Sequence, residues 1–446
     1  MGPEWVAIIA LVALFVIGTL LPINMGALAY VAAWLVGMYS LGLDEKEILA
    51  GVSGDLILTL IGVTYLFAIA RNNGTVDLIV RGAVRAVGGR VALIPWVMFL
   101  VTALLTAIGA ASPAACAIIG PIALGFAGRY KINPLMMGMF VVHGAQGGGF
   151  SPISIYGTIT NSVMEEAGLP VNEVLLFLAS FVVNLIMAVI LFIALGGREL
   201  MSRRIDAGEG TDPGSIGNSI DDDLHRGGAT VPARGYGTSA PTGTAAAGVK
   251  RDQVLTLVAF VAVAVIALAF DKNIGFVAIT AAVSLAILNA QEHKDAVKQI
   301  AWPTVLLVAG VSTYASVLTA AGSPEFVGTW AAGLGAIAIG ALILCYVGGV
   351  VSAFASSTAL LPVIVPIAVP LIGEGGVNAA LFVAALAISS TIVDVSPFST
   401  NGALMLANRP DTIEERVFYK QILTYSVIVV LVGPLLVWAA LVLPGW

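Results

Sequence analysis

Ser151-Pro152-Ile153-Ser154 recurs 245 residues later as Ser396-Pro397-Phe398-Ser399. The same offset carries Ser112 onto Ser357 and Pro121 onto Pro366. Both motifs interrupt long apolar stretches, where a proline removes a backbone hydrogen bond and opens a helix. Freed carbonyls can ligate a cation. Freed amides at a half-helix start can hold an anion through the helix dipole. The hydroxyls of Ser151, Ser154, Thr158, Ser396, Ser399 and Thr400, with the amide of Asn401, add neutral ligands. Asp394 stands two residues before Ser396, deep in an apolar span. A carboxylate there is a functional-site candidate, for a cation or a proton. Its counterpart at the same offset is Gly149, so the two breaks are not equivalent.

Other polar residues read more plainly. His143 reads as a satisfied buried histidine rather than a proton carrier or substrate contact. The run Gly144-Ala145-Gln146-Gly147-Gly148-Gly149 lacks the Gly-Lys-Ser/Thr of a phosphate loop. Asp55 reads as solvated near an interface. Cys116 and Cys345 lie in apolar surroundings and read as small buried hydrophobes.

The elements that must position these groups belong in lipid. The 446 residues are 59% hydrophobic and 10% charged, against about 25% charged in soluble proteins. Net charge is −6 and no basic stripe is present, which argues against a nucleic-acid partner. The first apolar run, Val6–Leu21, lacks a basic leader and reads as a retained span. Residues 198–251 hold 14 of the 46 acidic and basic residues and almost no apolar run. They read as a flexible cytoplasmic linker between membrane repeat 1 (residues 1–197) and membrane repeat 2 (residues 252–446).

The predicted fold is an all-α polytopic membrane protein. Each repeat has spans near 5–21, 26–41, 51–70 and 173–196, or near 253–270, 274–289, 303–320 and 421–443. Interfacial segments are expected near 75–90 and 323–334. Re-entrant hairpins are expected near 93–128 and 336–372, because their apolar arms are short and broken in the middle. Interrupted spans are expected near 134–164 and 377–406. Arg81, Arg85, Arg90, Arg129 and Lys131 bracket the first hairpin, and Glu325 and Glu374 the second. By the positive-inside rule the hairpins open on opposite faces. Five transmembrane helices per repeat then make the repeats inverted and put both termini outside.

With these residues in view, the chain resembles the ion transporter superfamily and its divalent anion/sodium symporters. Ser356-Ser357-Thr358-Ala359-Leu360-Leu361-Pro362 resembles the family's hairpin tip, with Ser357 in place of Asn. Ala111-Ser112-Pro113-Ala114-Ala115 departs further. The stretch Gly144–Asn161 is similar to the MatC family of malonate/dicarboxylate carriers. The resemblance implies an elevator-type homodimer in the cytoplasmic membrane, coupling uptake of a small dicarboxylate such as malonate to Na+. Substrate contacts are expected from Ser112, Pro113, Ser154, Ser357, Thr358, Ser399, Thr400 and Asn401. Cation contacts are expected from Ser112, Gly149, Ser151, Ser356, Thr358, Asp394 and Ser396. Alternatives are an H+-coupled carrier and the membrane subunit of a binding-protein-dependent (TRAP-type) system. An enzyme is disfavoured, since His143 has no clear nucleophile beside it.

Overall fold

The computed structural model describes residues 2–85, 90–203, 250–270, 272–332, 337–353, 357–373 and 378–444. Every long element among them is an α-helix. The first half runs α1 (Pro3–Leu20), α2 (Met25–Val36), α3 (Gly54–Asn72), α4 (Thr75–Arg85), α5 (Leu93–Ala107), α6 (Ser112–Tyr130), α7 (Pro134–Gly148), α8 (Ile155–Glu166) and α9 (Glu173–Ala194). The second runs α10 (Arg251–Phe270), α11 (Ile274–Leu288), α12 (Trp302–Ala320), α13 (Ser323–Ala332), α14 (Ile337–Ser352), α15 (Ser357–Gly373), α16 (Ala379–Ile392), α17 (Thr400–Ala407) and α18 (Glu415–Leu441).

The two halves repeat the same order of elements. Helices α4 and α13 start 248 residues apart, and α6 and α15 start 245 apart. Helix starts repeat as well. Asn24 and Asn273 cap α2 and α11, and Asn133 and Asn378 cap α7 and α16, each by accepting from a first-turn amide.

Packing between the halves is reciprocal. Helix α3 packs on α11 and α2 on α12; α6 packs on α17 and α15 on α8; α9 packs on α16 and α7 on α18. Each pair is the other with the halves exchanged, so the halves interlock. The α3–α11 crossing is closed by glycine on both helices, Gly62 and Gly275. A Cβ on Gly62 would stand 2.7 Å from the Gly275 carbonyl oxygen and 3.0 Å from the Ile279 nitrogen. Gly310 and Gly26 repeat this crossing between α12 and α2. Small residues let backbones touch where lipid supplies no hydrophobic drive between helices.

Among the described residues α1, α3, α6, α9, α12 and α18 are long and apolar enough to cross a bilayer. Outward faces are apolar: Val182, Ile186, Ile190 and Ile193 of α9 are exposed, as are Val258, Val261 and Val265 of α10. Such surface is a liability in water and an ordinary contact in lipid. The first hairpin forms from α5 packed on α6. One part of the sequence argument fails there. Helix α6 has 19 residues, so length does not keep it from crossing, whereas α5 has 15.

The charged segment at 198–251 is largely outside the described residues, which omit 204–249. Its first residues are not free chain. Leu200 is buried, and the Arg203 guanidinium donates to the carbonyls of Tyr130 (2.7 Å) and Lys131 (3.2 Å). The second hairpin's turn, including Ser356, also lies outside the described residues.

Candidate functional site

The two Ser-Pro breaks separate α7 from α8 and α16 from α17, and Pro152 and Pro397 are both buried. In each motif the first serine is a latch. Ser151 Oγ donates to the Ala107 carbonyl (2.5 Å), and Ser396 Oγ donates to the Ala353 carbonyl (2.8 Å). These bonds tie each break to the end of the neighbouring hairpin arm. The last serine is a helix cap. Ser154 Oγ accepts from the Gly157 amide (3.3 Å) and bonds the carbonyls of Ser151 (2.7 Å) and Gly149. Ser399 Oγ accepts from the Gly402 amide (3.2 Å) and donates to the Ser396 carbonyl (2.8 Å). The sequence expectation gave Ser154 and Ser399 to the substrate, and Ser151 and Ser396 to a cation. The structure gives all four hydroxyls backbone partners, and these bonds hold the breaks in shape. Replacing Ser399 with Ala should cost about 1 kcal/mol of stability, the usual worth of a cap, by loosening α17. Thermal unfolding of the purified protein measures it; a variant that melts like wild type would deny the cap this role.

A cavity of about 220 Å³ joins the two clusters. It is lined by Ser112 and Pro113 at the start of α6, and by Gly149, Ile155 and Tyr156 around the first break. Thr358 at the start of α15, Thr400 at the start of α17, and Thr304 and Leu307 of α12 complete it. Four helix N-termini, two from each half, therefore meet at one hollow. Each brings the positive end of a helix dipole and first-turn amides, of which Ser154 and Ser399 take those of Gly157 and Gly402. Helix α6 has no side-chain cap at Ala111, which leaves its first amides open to a guest. Among the described residues no charged side chain lines the cavity. Ser357 is buried and bonds Ser352 Oγ (2.8 Å) rather than lining it. Thr158 faces a separate hollow with Asp55, Asn161 and Glu165.

Beside the cavity lies the carboxylate. Asp394 is only 7% exposed. Asn401 Nδ2 donates to Asp394 Oδ2 (2.9 Å) and to Ser112 Oγ (2.9 Å), joining the second break to the first hairpin. Asn401 Oδ1 is buried and has no protein partner. Among the described residues no basic side chain pairs with Asp394. A buried carboxylate with no opposite charge beside it costs several kcal/mol, so this arrangement favours a cation or a proton there. The oxygens available to one are the Asp394 carboxylate and Asn401 Oδ1.

His143 is accounted for by its partners. Its Nδ1 lies 2.8 Å from Asn184 Oδ1 and its Nε2 2.6 Å from the Tyr425 hydroxyl. Asn184 Nδ2 donates to the Ser180 carbonyl (3.0 Å), which fixes Oδ1 as the acceptor. A neutral imidazole donating from Nδ1 and accepting from Tyr425 satisfies every group. The histidine thus staples α7 to α9 and α18. Asp55 is exposed, as expected, but accepts from Asn273 and from Ser162 (3.3 Å).

Sequence reasoning missed two contributors. Tyr156 is the counterpart of Asn401 at the 245-residue offset, a signal that was open to inspection. Thr304 follows Pro303 at the head of α12, a smaller version of the same proline-hydroxyl pattern.

Residues 1–149 match the family described as dicarboxylate carrier protein MatC N-terminus. No curated protein matches the chain. Among solved structures, the Alcanivorax borkumensis YdaH transporter, described as having an unusual topology, aligns with a TM-score of 0.48 and 13% identity. The alignment covers 88% of this chain and 86% of that one. The family match and the apolar helices point to a multi-pass membrane transporter rather than an enzyme.

Proposed function

Starting from a chain whose first third matches the MatC carriers, we propose a secondary active transporter for a small dicarboxylate such as malonate, coupled to Na+. One observation carries the reading: four helix starts, two from each half, line one small cavity without a basic side chain. Dipoles and amides suit an anion. Two negative charges held there also call for a cation close by, and Asp394 with Asn401 Oδ1 supplies its oxygens. The guest and the cation then support each other's binding, which is the basis of symport. Ser112 and Thr358 remain in the proposed binding set, with Thr400 and the amides around Pro113.

The reciprocal packing supports inverted repeats related by a two-fold axis in the membrane plane, with the site at their interface. On this reading each half crosses the cytoplasmic membrane five times, both termini lie outside and the linker is cytoplasmic. The hairpins and broken helices move as one body against a scaffold of α2, α3, α11 and α12, in a homodimer. H+ coupling through Asp394 is the competing reading, favoured by the same unpaired carboxylate.

Malonate uptake into proteoliposomes, with Na+ and pH gradients imposed separately, distinguishes them. Uptake driven by inward Na+ at equal pH is the expected result. Uptake indifferent to Na+ and driven by a pH gradient alone would transfer the role to the proton. Transport by the purified chain alone also sets aside dependence on a separate binding protein.

A further inference from the structure

We propose that the two breaks have divided the labour: the second holds the cation through Asp394, while the first offers the anion a hydrogen bond from Tyr156. This deepens the cation-coupled reading above and rests on it. The pairs to compare are Gly149 with Asp394 and Tyr156 with Asn401, each 245 residues apart. Gly149 is not required by its backbone. Its φ of −65° and ψ of −10° suit any residue. What crowds a side chain most is the Tyr156 ring: a Cβ on Gly149 would lie 2.8 Å from Tyr156 Cδ2 and 3.3 Å from Cε2, with the Ala145 carbonyl oxygen at 3.1 Å. The ring thus takes space that a side chain at position 149 would need, where the second half carries a carboxylate at the matching position in sequence. It is 5% exposed and packs on Phe150, with ring centroids 5.5 Å apart.

The same replacement turns a hydroxyl toward the guest. Tyr156 lines the cavity beside Ser112 and Thr358, one from each hairpin; its hydroxyl hydrogen-bonds with these two side chains, and a guest carboxylate would take its proton in their place. A phenol there is a neutral donor. It can bond a carboxylate of the guest but cannot balance a cation. Asn401 is too short for that role and turns instead to Asp394 and Ser112. Duplicate scaffolds therefore yield one carboxylate-based cation site and one donor.

The test uses purified full-length protein, with malonate and Na+ as probes and K+ as control. Ligand-induced thermal shifts give Na+ binding without malonate, then malonate binding at saturating Na+. Tyr156→Phe should weaken malonate binding about tenfold, the loss of one hydrogen bond to a charged group, and leave Na+ binding within twofold. The exchange pair Gly149→Asp with Tyr156→Asn copies the second half's residues onto the first. It should add a second Na+ binding step. Malonate binding unchanged in Tyr156→Phe, or Na+ binding weakened as much as malonate binding, would overturn the inference. Wild-type protein with no Na+ response, but with malonate binding lost in Tyr156→Phe, would instead defeat the Na+ reading and keep the donor.

Discussion

Asp394→Asn should, under the proposed Na+ coupling, nearly abolish uptake while the protein remains folded in the membrane. A cation about 4 Å from a carboxylate gains about 4 kcal/mol at an effective dielectric of about 20. Removing that charge should lower Na+ affinity about a thousandfold. The amide keeps the shape, and its oxygen can still accept from Asn401 Nδ2, now 2.9 Å from Asp394 Oδ2. Loss of a buried unpaired charge should even raise thermal stability in Na+-free buffer. The checks are Na+ titrations of uptake and melting curves with and without Na+. An unchanged Na+ dependence would return Asp394 to a structural role, and a collapsed melting transition would mean that the carboxylate holds the fold.

Gly62→Ala should strike the scaffold instead. Its new methyl group would stand 2.7 Å from the Gly275 carbonyl oxygen and 3.0 Å from the Ile279 nitrogen. Backbone cannot rotate away as a side chain can, so α3 and α11 must separate. Overpacking of this kind costs about 1–3 kcal/mol, read as a lower melting temperature and less monodisperse protein. Gly54→Ala on the same helix meets nothing within 4 Å and serves as the control. Equal melting of both variants would show that the crossing is not closed by Gly62. Gly310 repeats the arrangement from the other half, so its substitution should act in the same way.

The duplicated Ser-Pro motif was enough to place both helix breaks, because a proline and hydroxyls inside apolar sequence have few other uses. The 248- and 245-residue offsets foretold the order of elements, and helices α7, α8, α16 and α17 fall where the interrupted spans were expected. The meeting of four helix starts at one small cavity was also foreseen from the duplicated breaks and hairpin tips. Hydrogen-bond partners within the motif were not legible. Ser151 and Ser396 became latches, and Ser154 and Ser399 became caps, because backbone groups five or fewer residues away, or on a neighbouring hairpin, reached them first.

Sequence by itself determined that this chain lives in lipid, repeats itself and breaks its helices twice, since those follow from composition and local backbone chemistry. Only the tertiary structure decided which polar atoms face the cavity and which are consumed within the protein. Hydrogen bonding is satisfied by whatever lies nearest in space, as Asn401 reaching Ser112 from 289 residues away makes plain.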